Sequence, residues 1–158
     1  MKTNVTRLLE QRKIPYTAYE LPAEKLGARE TARLLGVPPE IVFKSIVVVR
    51  TGRGKPILAI VPGDCEVDLK AVAEAVGEKK VRLPTQAEAE RLTGLQAGGI
   101  SPLVLLNRGF QMLLDESAAQ HDEIHISGGQ RGLNIRLPVD ALCKLTGARL
   151  APIAVRAG

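Results

Sequence analysis

Ile41-Val42-Phe43-Lys44-Ser45-Ile46-Val47-Val48-Val49 is the stretch from which the rest of the chain can be read. Rich in β-branched side chains and free of proline and glycine, it predicts a strand, and its near-continuous apolarity predicts burial on both faces. Gly52-Arg53-Gly54 turns the chain and Pro56-Ile57-Leu58-Ala59-Ile60-Val61 returns it, so the two runs form a hairpin. Alternation sets Val42, Lys44, Ile46 and Val48 on one face, and Phe43, Ser45, Val47 and Val49 on the other. Lys44 therefore interrupts an apolar face of what reads as a central strand. Burying an unpaired ammonium is costly, so it must meet a carboxylate, open onto a cleft, or sit near the strand's end. The alternative is a lysine that guards an edge strand or snorkels to solvent.

Working outward, Asn4 to Lys13 places Val5, Leu8, Leu9 and Arg12 on one helical face, and Pro15 stops it. Tyr16 to Leu21 alternates loosely, as an edge strand does. Ala28 to Leu35 is a second helix with Gly36 just past its end and Pro38 beyond. Asp68 caps a helix over Leu69 to Val76 that Gly77 terminates. Thr85 and Glu88 have the spacing of a capping box for a helix through Leu92, ended at Thr93-Gly94. Leu103–Leu106, Phe110–Leu114, Glu123–Ile126 and Leu133–Leu137 are strand candidates, and Val139 to Thr146 is a last helix closing on Gly147. Strands mixed with helices, with at least one hairpin, predict a mixed-sheet α+β or α/β domain rather than a doubly wound one. The expected architecture is a central mixed, largely antiparallel sheet surrounded by short helices, in one domain over residues 1–158.

The 158 residues are 45% hydrophobic and 25% charged, enough apolar material to bury a core and too much for a disordered chain. Aromatic residues make up 3%, which argues against binding through a platform of stacked rings. No apolar run approaches the roughly 20 residues of a bilayer span, and no apolar signal core follows the first residues, so no membrane partner is expected. Cys65 and Cys143 form neither a metal spacing nor a disulfide framework, which fits a reduced, cytoplasmic setting. The net charge of +5 suits a polyanionic partner without requiring one.

Three features could carry chemistry. Lys44 is the first. The second is Gly98-Gly99-Ile100-Ser101-Pro102, where two glycines permit close backbone approach and Pro102 fixes the exit. Such a loop can aim successive N–H groups at a phosphate or an oxyanion, and serves equally well as a connecting turn. The third is Ser127-Gly128-Gly129-Gln130-Arg131-Gly132, with small residues, a hydroxyl and a guanidinium. His121 and His125 lie four apart in a run that reads as strand and would share a face, without a third ligand to make a metal site. Cys65 and Cys143 have no neighbouring histidine or helix N-terminus to activate them as nucleophiles. No nucleophile elbow, phosphate-binding loop or dinucleotide fingerprint is present, so hydrolysis by a protein nucleophile has no good candidate; neither a metal nor a cofactor is expected.

Taken together, Val42-Phe43-Lys44-Ser45, Gly98-Gly99-Ile100-Ser101-Pro102 and Ser127-Gly128-Gly129-x-Arg131-Gly132-Leu133 resemble the YbaK-type aminoacyl-tRNA deacylases, relatives of the inserted editing domain of bacterial prolyl-tRNA synthetases. The resemblance runs over essentially the whole chain and is greatest to the free-standing deacylases that clear cysteine from proline tRNA. It implies hydrolysis of the ester between an amino acid and the terminal adenosine of tRNA, with Ala- or Ser-charged tRNA as alternative substrates and a non-catalytic tRNA- or synthetase-binding module as the alternative role. It implies Lys44 as the residue on which activity depends. It further implies substrate contacts from Tyr19, Ser45, Gly98, Gly99, Ile100, Ser101, Pro102, Ser127, Gly128, Gly129 and Asn134. The implied partners are the acceptor end of aminoacyl-tRNA and, through it, prolyl-tRNA synthetase. Two positions depart from the pattern: Asn134, where many cysteine-specific relatives carry Asp, and Ser45, where Thr is common.

Overall fold

The hairpin read from the sequence forms the middle of a five-stranded sheet. The computed structural model describes residues 2–156. In chain order its elements begin with α1 (Asn4–Gln11), β1 (Thr17–Glu20), α2 (Ala28–Leu35), β2 (Phe43–Arg50) and β3 (Ile57–Pro62). They continue with β4 (Cys65–Val67), α3 (Leu69–Val76), β5 (Val81–Arg82), α4 (Gln86–Thr93) and β6 (Gln111–Asp115). The last are β7 (Glu123–Ser127), β8 (Leu133–Pro138), α5 (Val139–Thr146), β9 (Arg149–Ala151) and β10 (Ala154–Arg156).

The main sheet has the order β5-β2-β3-β6-β9. β2 and β3 are antiparallel, with Lys44 opposite Val61 and Val48 opposite Ile57. The β3–β6 and β6–β9 pairings are parallel, so this sheet is mixed but not largely antiparallel. The helices between β3 and β6 carry the chain back to the start side before β6 begins, as a parallel neighbour requires. A second, antiparallel sheet has the order β1-β8-β7, with β1 at its edge, and β4 pairs with β10 as a small ribbon.

One expectation for β2 is corrected. Pro39–Ile41 is a 3₁₀ turn, so the strand starts at Phe43. β5 pairs only with Val49 and Arg50. The Lys44 half of β2 therefore has a strand neighbour on one side, β3, and its other edge lies open. The second sheet touches the start of this edge through a single bridge, Val42 to His125. The apolar flanks suggested a central strand because side-chain burial does not reveal which backbone groups are paired.

Apolar side chains cover both faces of the main sheet. Phe43, Val47, Leu58, Ile60 and Leu114 pack with Ile124, Ile126, Ile135 and Leu137 of the second sheet and with Leu9 and Leu142 of the flanking helices. On the opposite face Val48, Ile57, Ala59, Val61 and Leu113 pack on Val72 and Ala73 of α3. Asp68 accepts the Ala71 N–H at 3.1 Å, and Gly77 closes α3 in the left-handed conformation at φ 73°. Thr85 accepts the Glu88 N–H, but the Glu88 carboxylate pairs with Arg82 rather than completing the box. α1 stops two residues early, since Lys13 already has φ 56°. Leu103–Leu106 is not a strand: Val104 N–H bonds Ser101 O and Arg108 N–H bonds Leu105 O, each at 3.2 Å, in successive turns. Leu103 and Leu105 are buried, and a short apolar run looks alike in a buried turn and a strand. Among the described residues no helix is long and apolar enough to cross a membrane.

Candidate functional site

A cavity of about 400 Å³ opens beside the unpaired edge of β2, within the range of small-molecule sites. Four segments meet there. Leu21 to Ala28, a strap leading into α2, forms one wall; Leu83-Pro84 and the start of α4 form another; Gly98 and Ile100 form a third; Ser127, Leu133 and Asn134 form the fourth. Backbone contacts bring these distant segments together. Leu21 N–H donates to Gly132 O at 2.8 Å, and Arg131 Nε–H donates to Ala97 O at 2.7 Å. Lys25 Nζ donates to Gln86 Oε1 at 2.7 Å, joining the strap to α4. Gly99 lies so near the Gln130–Arg131 backbone that a Cβ there would sit 2.9 Å from Gln130 Cα. The two glycine-rich loops are thus packed backbone to backbone.

Lys44 is half-buried and lines this cavity. Its ammonium enters none of the ion pairs or side-chain hydrogen bonds among the described residues. Two carboxylates share the cavity with it. Glu24 is exposed, and Glu90 is engaged elsewhere, its Oε2 accepting the Ala97 N–H at 2.8 Å. Beside Lys44, the Ser45 hydroxyl oxygen is enclosed and has no hydrogen-bond partner. Ser127 Oγ accepts the Gly129 N–H at 3.3 Å. Asn134 Oδ1 lies 2.8 Å from Nδ1 of His125, whose ring is 1% exposed. Burial holds His125 below its ordinary pKa of 6.5, only partly opposed by the Asn134 hydrogen bond.

Of the residues singled out from the sequence, Lys44, Ser45, Gly98, Ile100, Ser127 and Asn134 line the cavity. The others are not part of its lining. Gly99 donates its N–H to Gln96 O at 2.8 Å, so the loop does not aim an unbroken row of N–H groups at the site. Ser101 is fully buried and its Oγ accepts the Leu103 N–H, while Pro102 is buried beside it. At Gly128 a Cβ would lie 2.4 Å from Leu133 Cγ, and at Gly129 2.6 Å from Val104, so both glycines make room for packing. Tyr19 pairs with Asn134 across β1 and β8, and its ring packs 5.5 Å from that of His125 rather than on the cavity. His121 follows a 3₁₀ turn outside β7 and does not share a strand face with His125.

Sequence reasoning missed the strap, the Leu83-Pro84 wall and the His125–Asn134 pair. The capping signal at Thr85 locates the start of α4 but says nothing about what α4 faces. Among the described residues no cysteine or histidine lines the cavity. Burial pushes the thiols of both Cys65 and Cys143 up, toward the neutral form, with Asp64 adding to this at Cys65 and Asp140 at Cys143.

The chain is similar to known proteins over most of its length. A model of the aminoacyl-tRNA editing domain family matches residues 23–145. EbsC of Enterococcus faecalis, described as a candidate Cys-tRNA(Pro)/Cys-tRNA(Cys) deacylase, is 38% identical over 157 residues, covering 98% of this chain and 94% of that one. A proline–tRNA ligase of Trichlorobacter lovleyi is 26% identical over 134 residues, 79% of this chain and 23% of the ligase. A crystal structure described as that of a candidate trans-editing enzyme for prolyl tRNA synthetase has a TM-score of 0.79 at 29% identity, covering 100% of this chain and 99% of that one. Since the family match runs from Ala23 to Leu145 and takes in β2, α4 and both glycine-rich loops, the chain belongs to the aminoacyl-tRNA editing domain family and is an aminoacyl-tRNA deacylase.

Proposed function

We propose that this chain acts in trans on Cys-tRNA(Pro), in the cytoplasm, hydrolysing the ester between cysteine and the terminal ribose while the cavity beside β2 holds the aminoacyl-adenosine end. The observation that carries this reading is Lys44: a lone ammonium on an apolar strand, unpaired, in a cavity it shares with Gly98 and Ile100. The description of EbsC supports cysteine as the amino acid, and the resemblance to part of a proline–tRNA ligase supports tRNA(Pro) and a working association with prolyl-tRNA synthetase.

An aminoacyl ester is already activated, so the protein's task is to hold it and stabilise the oxyanion. Among the described residues the cavity wall contains no cysteine or histidine, and the nucleophile is supplied by the substrate. The cysteine sulfur attacks its own carbonyl carbon, forming a C–S bond as negative charge develops on the carbonyl oxygen. The C–O bond to ribose then breaks, and the ribose oxygen takes the proton that the thiol gave up. Water later opens the resulting four-membered thiolactone to free cysteine. Holding thiol and carbonyl in contact lowers the barrier through proximity. Lys44 acts as the fixed positive charge toward the developing oxyanion, a contribution of about 10²–10³ in rate for a single well-placed donor. Serine and alanine esters lack the thiol and react slowly in the same cavity.

The test is release of amino acid from Cys-, Ala- and Ser-tRNA(Pro) by the wild-type chain and by Lys44→Ala. Turnover of the cysteine ester alone, abolished in Lys44→Ala, is expected. Faster turnover of Ala- or Ser-tRNA overturns the choice of amino acid, and full activity in Lys44→Ala overturns the site.

A further inference from the structure

The polar face of the second sheet holds a buried pair outside the proposed reaction. In the β7–β8 register Ser127 stands opposite Asn134 and His125 opposite Arg136, so His125 and Asn134 are diagonal neighbours on one face. Their side chains meet, Nδ1 to Oδ1, at 2.8 Å. Nε2 of His125 is enclosed and has no partner. The ring is bounded by Tyr19, 5.5 Å away centroid to centroid, and its strand meets β2 at Val42.

The unpartnered Nε2 favours one wiring of this pair over the other. If Nδ1 carries the proton, it donates to Asn134 Oδ1 and the group left unpaired at Nε2 is a bare lone pair. If Nε2 carries the proton, a buried N–H is orphaned, and Nδ1 faces the amide oxygen acceptor to acceptor unless the amide turns over. A buried donor without an acceptor is the more expensive defect, so the Nδ1–H form is selected. Asn134 is 5% exposed, lines the cavity, and has no partner for its Nδ2 among the described residues. With its oxygen held by His125, the Nδ2 amide group is left to serve the cavity as a donor.

We propose that His125 is a positioning residue that locks the Asn134 amide so that its Nδ2–H groups bind an oxygen acceptor of the aminoacyl ester. The inference rests on the cavity being the ester site. It makes this wall of the pocket a donor wall, complementary to a carbonyl or hydroxyl oxygen and unsuited to the substrate's ammonium. Carboxylate at position 134 would reverse that preference.

Two measurements on the full chain test it. Long-range ¹H–¹⁵N NMR of the imidazole reads the tautomer directly and needs no variant: a protonated Nδ1 with bare Nε2 is expected, and a protonated Nε2 overturns the wiring. Deacylation of Cys-tRNA(Pro) by His125→Leu, Asn134→Ala and the double variant then reads coupling. Loss of one hydrogen bond corresponds to about tenfold in kcat/KM. If His125 acts through Asn134, the double variant is no worse than Asn134→Ala alone; a loss equal to the product of the single losses overturns the proposal. If His125→Leu does not fold, the tautomer decides. A substrate ending in 2′-deoxyadenosine locates the acceptor: an Asn134→Ala loss that vanishes assigns the ribose hydroxyl, and one that persists assigns the carbonyl. Lys44→Ala in the same assay separates the two levels, because activity surviving there removes the site itself, whereas additive His125 and Asn134 losses beside an inactive Lys44→Ala remove only the coupling.

Discussion

Arg131, in the loop after β7, donates its Nε–H to the carbonyl of Ala97 at 2.7 Å, across 34 positions of sequence. This bond fixes the segment that carries Gly98 and Ile100 against the loop that carries Ser127, and so sets the width of the cavity. Arg131→Ala removes a charge-assisted bond from a half-buried position, which costs about 1.5–3 kcal/mol of stability. Deacylation falls by at least about tenfold at a temperature where the variant is still folded, since the loop is no longer held in place. Thermal melts and single-turnover deacylation together check this; full activity in a destabilised Arg131→Ala shows that the loop position is set by something else.

Gly99 makes the same junction sensitive to a single methyl group. A Cβ there lies 2.9 Å from Gln130 Cα and 3.1 Å from Arg131 N, both backbone atoms that cannot swing aside. Gly99→Ala therefore costs about 1–3 kcal/mol through overpacking. At Gly27 nothing lies within 4 Å of an added Cβ, so Gly27→Ala changes urea stability by less than about 1 kcal/mol. The comparison of the two midpoints is the measurement, and equal midpoints sink the packing argument.

The role proposed for Lys44 is in function and not in folding. Lys44→Met keeps the aliphatic stem and removes an unpaired charge from the face of β2. Its melting temperature is expected to match or exceed that of the wild type, while deacylation drops by about 10²–10³. A variant that melts well below the wild type reveals a structural partner for the ammonium.

Acid stability reports on His125. Its neighbours are Asn134 on β8, the Tyr19 ring, and the charges of Arg136 and Glu123, and burial dominates in keeping its pKa below 6.5. Above that pH both folded and unfolded states hold a neutral imidazole, and the group makes no pH-dependent contribution. As pH falls below it the unfolded chain takes up the proton first, so stability declines until the folded ring protonates as well. Urea midpoints from about pH 7.5 to about pH 5 should fall in the wild type, and the decline should be shallower in His125→Leu once the titration of carboxylates common to both is subtracted. Parallel slopes in the two proteins exclude a buried neutral histidine.

Much of this molecule is written locally. Gly36 and Gly77 end α2 and α3 where the sequence puts them, Asp68 caps α3, and the apolar run before Gly52 pairs with the one after Gly54. These signals work because turn chemistry and alternation act over a few residues. Short strands such as β5 and β9 carry no such signal: two or three residues have no periodicity, and only the neighbouring strand makes them β. Leu103–Leu106 failed for the converse reason, since apolarity reports burial and not backbone shape.

Local signals in the chain carry the hairpin, four helices to within a residue, and a lysine out of place among aliphatics, because each depends on neighbours close along the chain. That the lysine stands on an open strand edge emerges in the folded chain alone. The fold also shows that Gly98 and Ile100 face a cavity while Gly99 and Ser101 face away, and that His125 stands behind Asn134. Those outcomes follow from contacts between segments tens of residues apart, whose geometry is fixed by the packing of two sheets and not by any local preference.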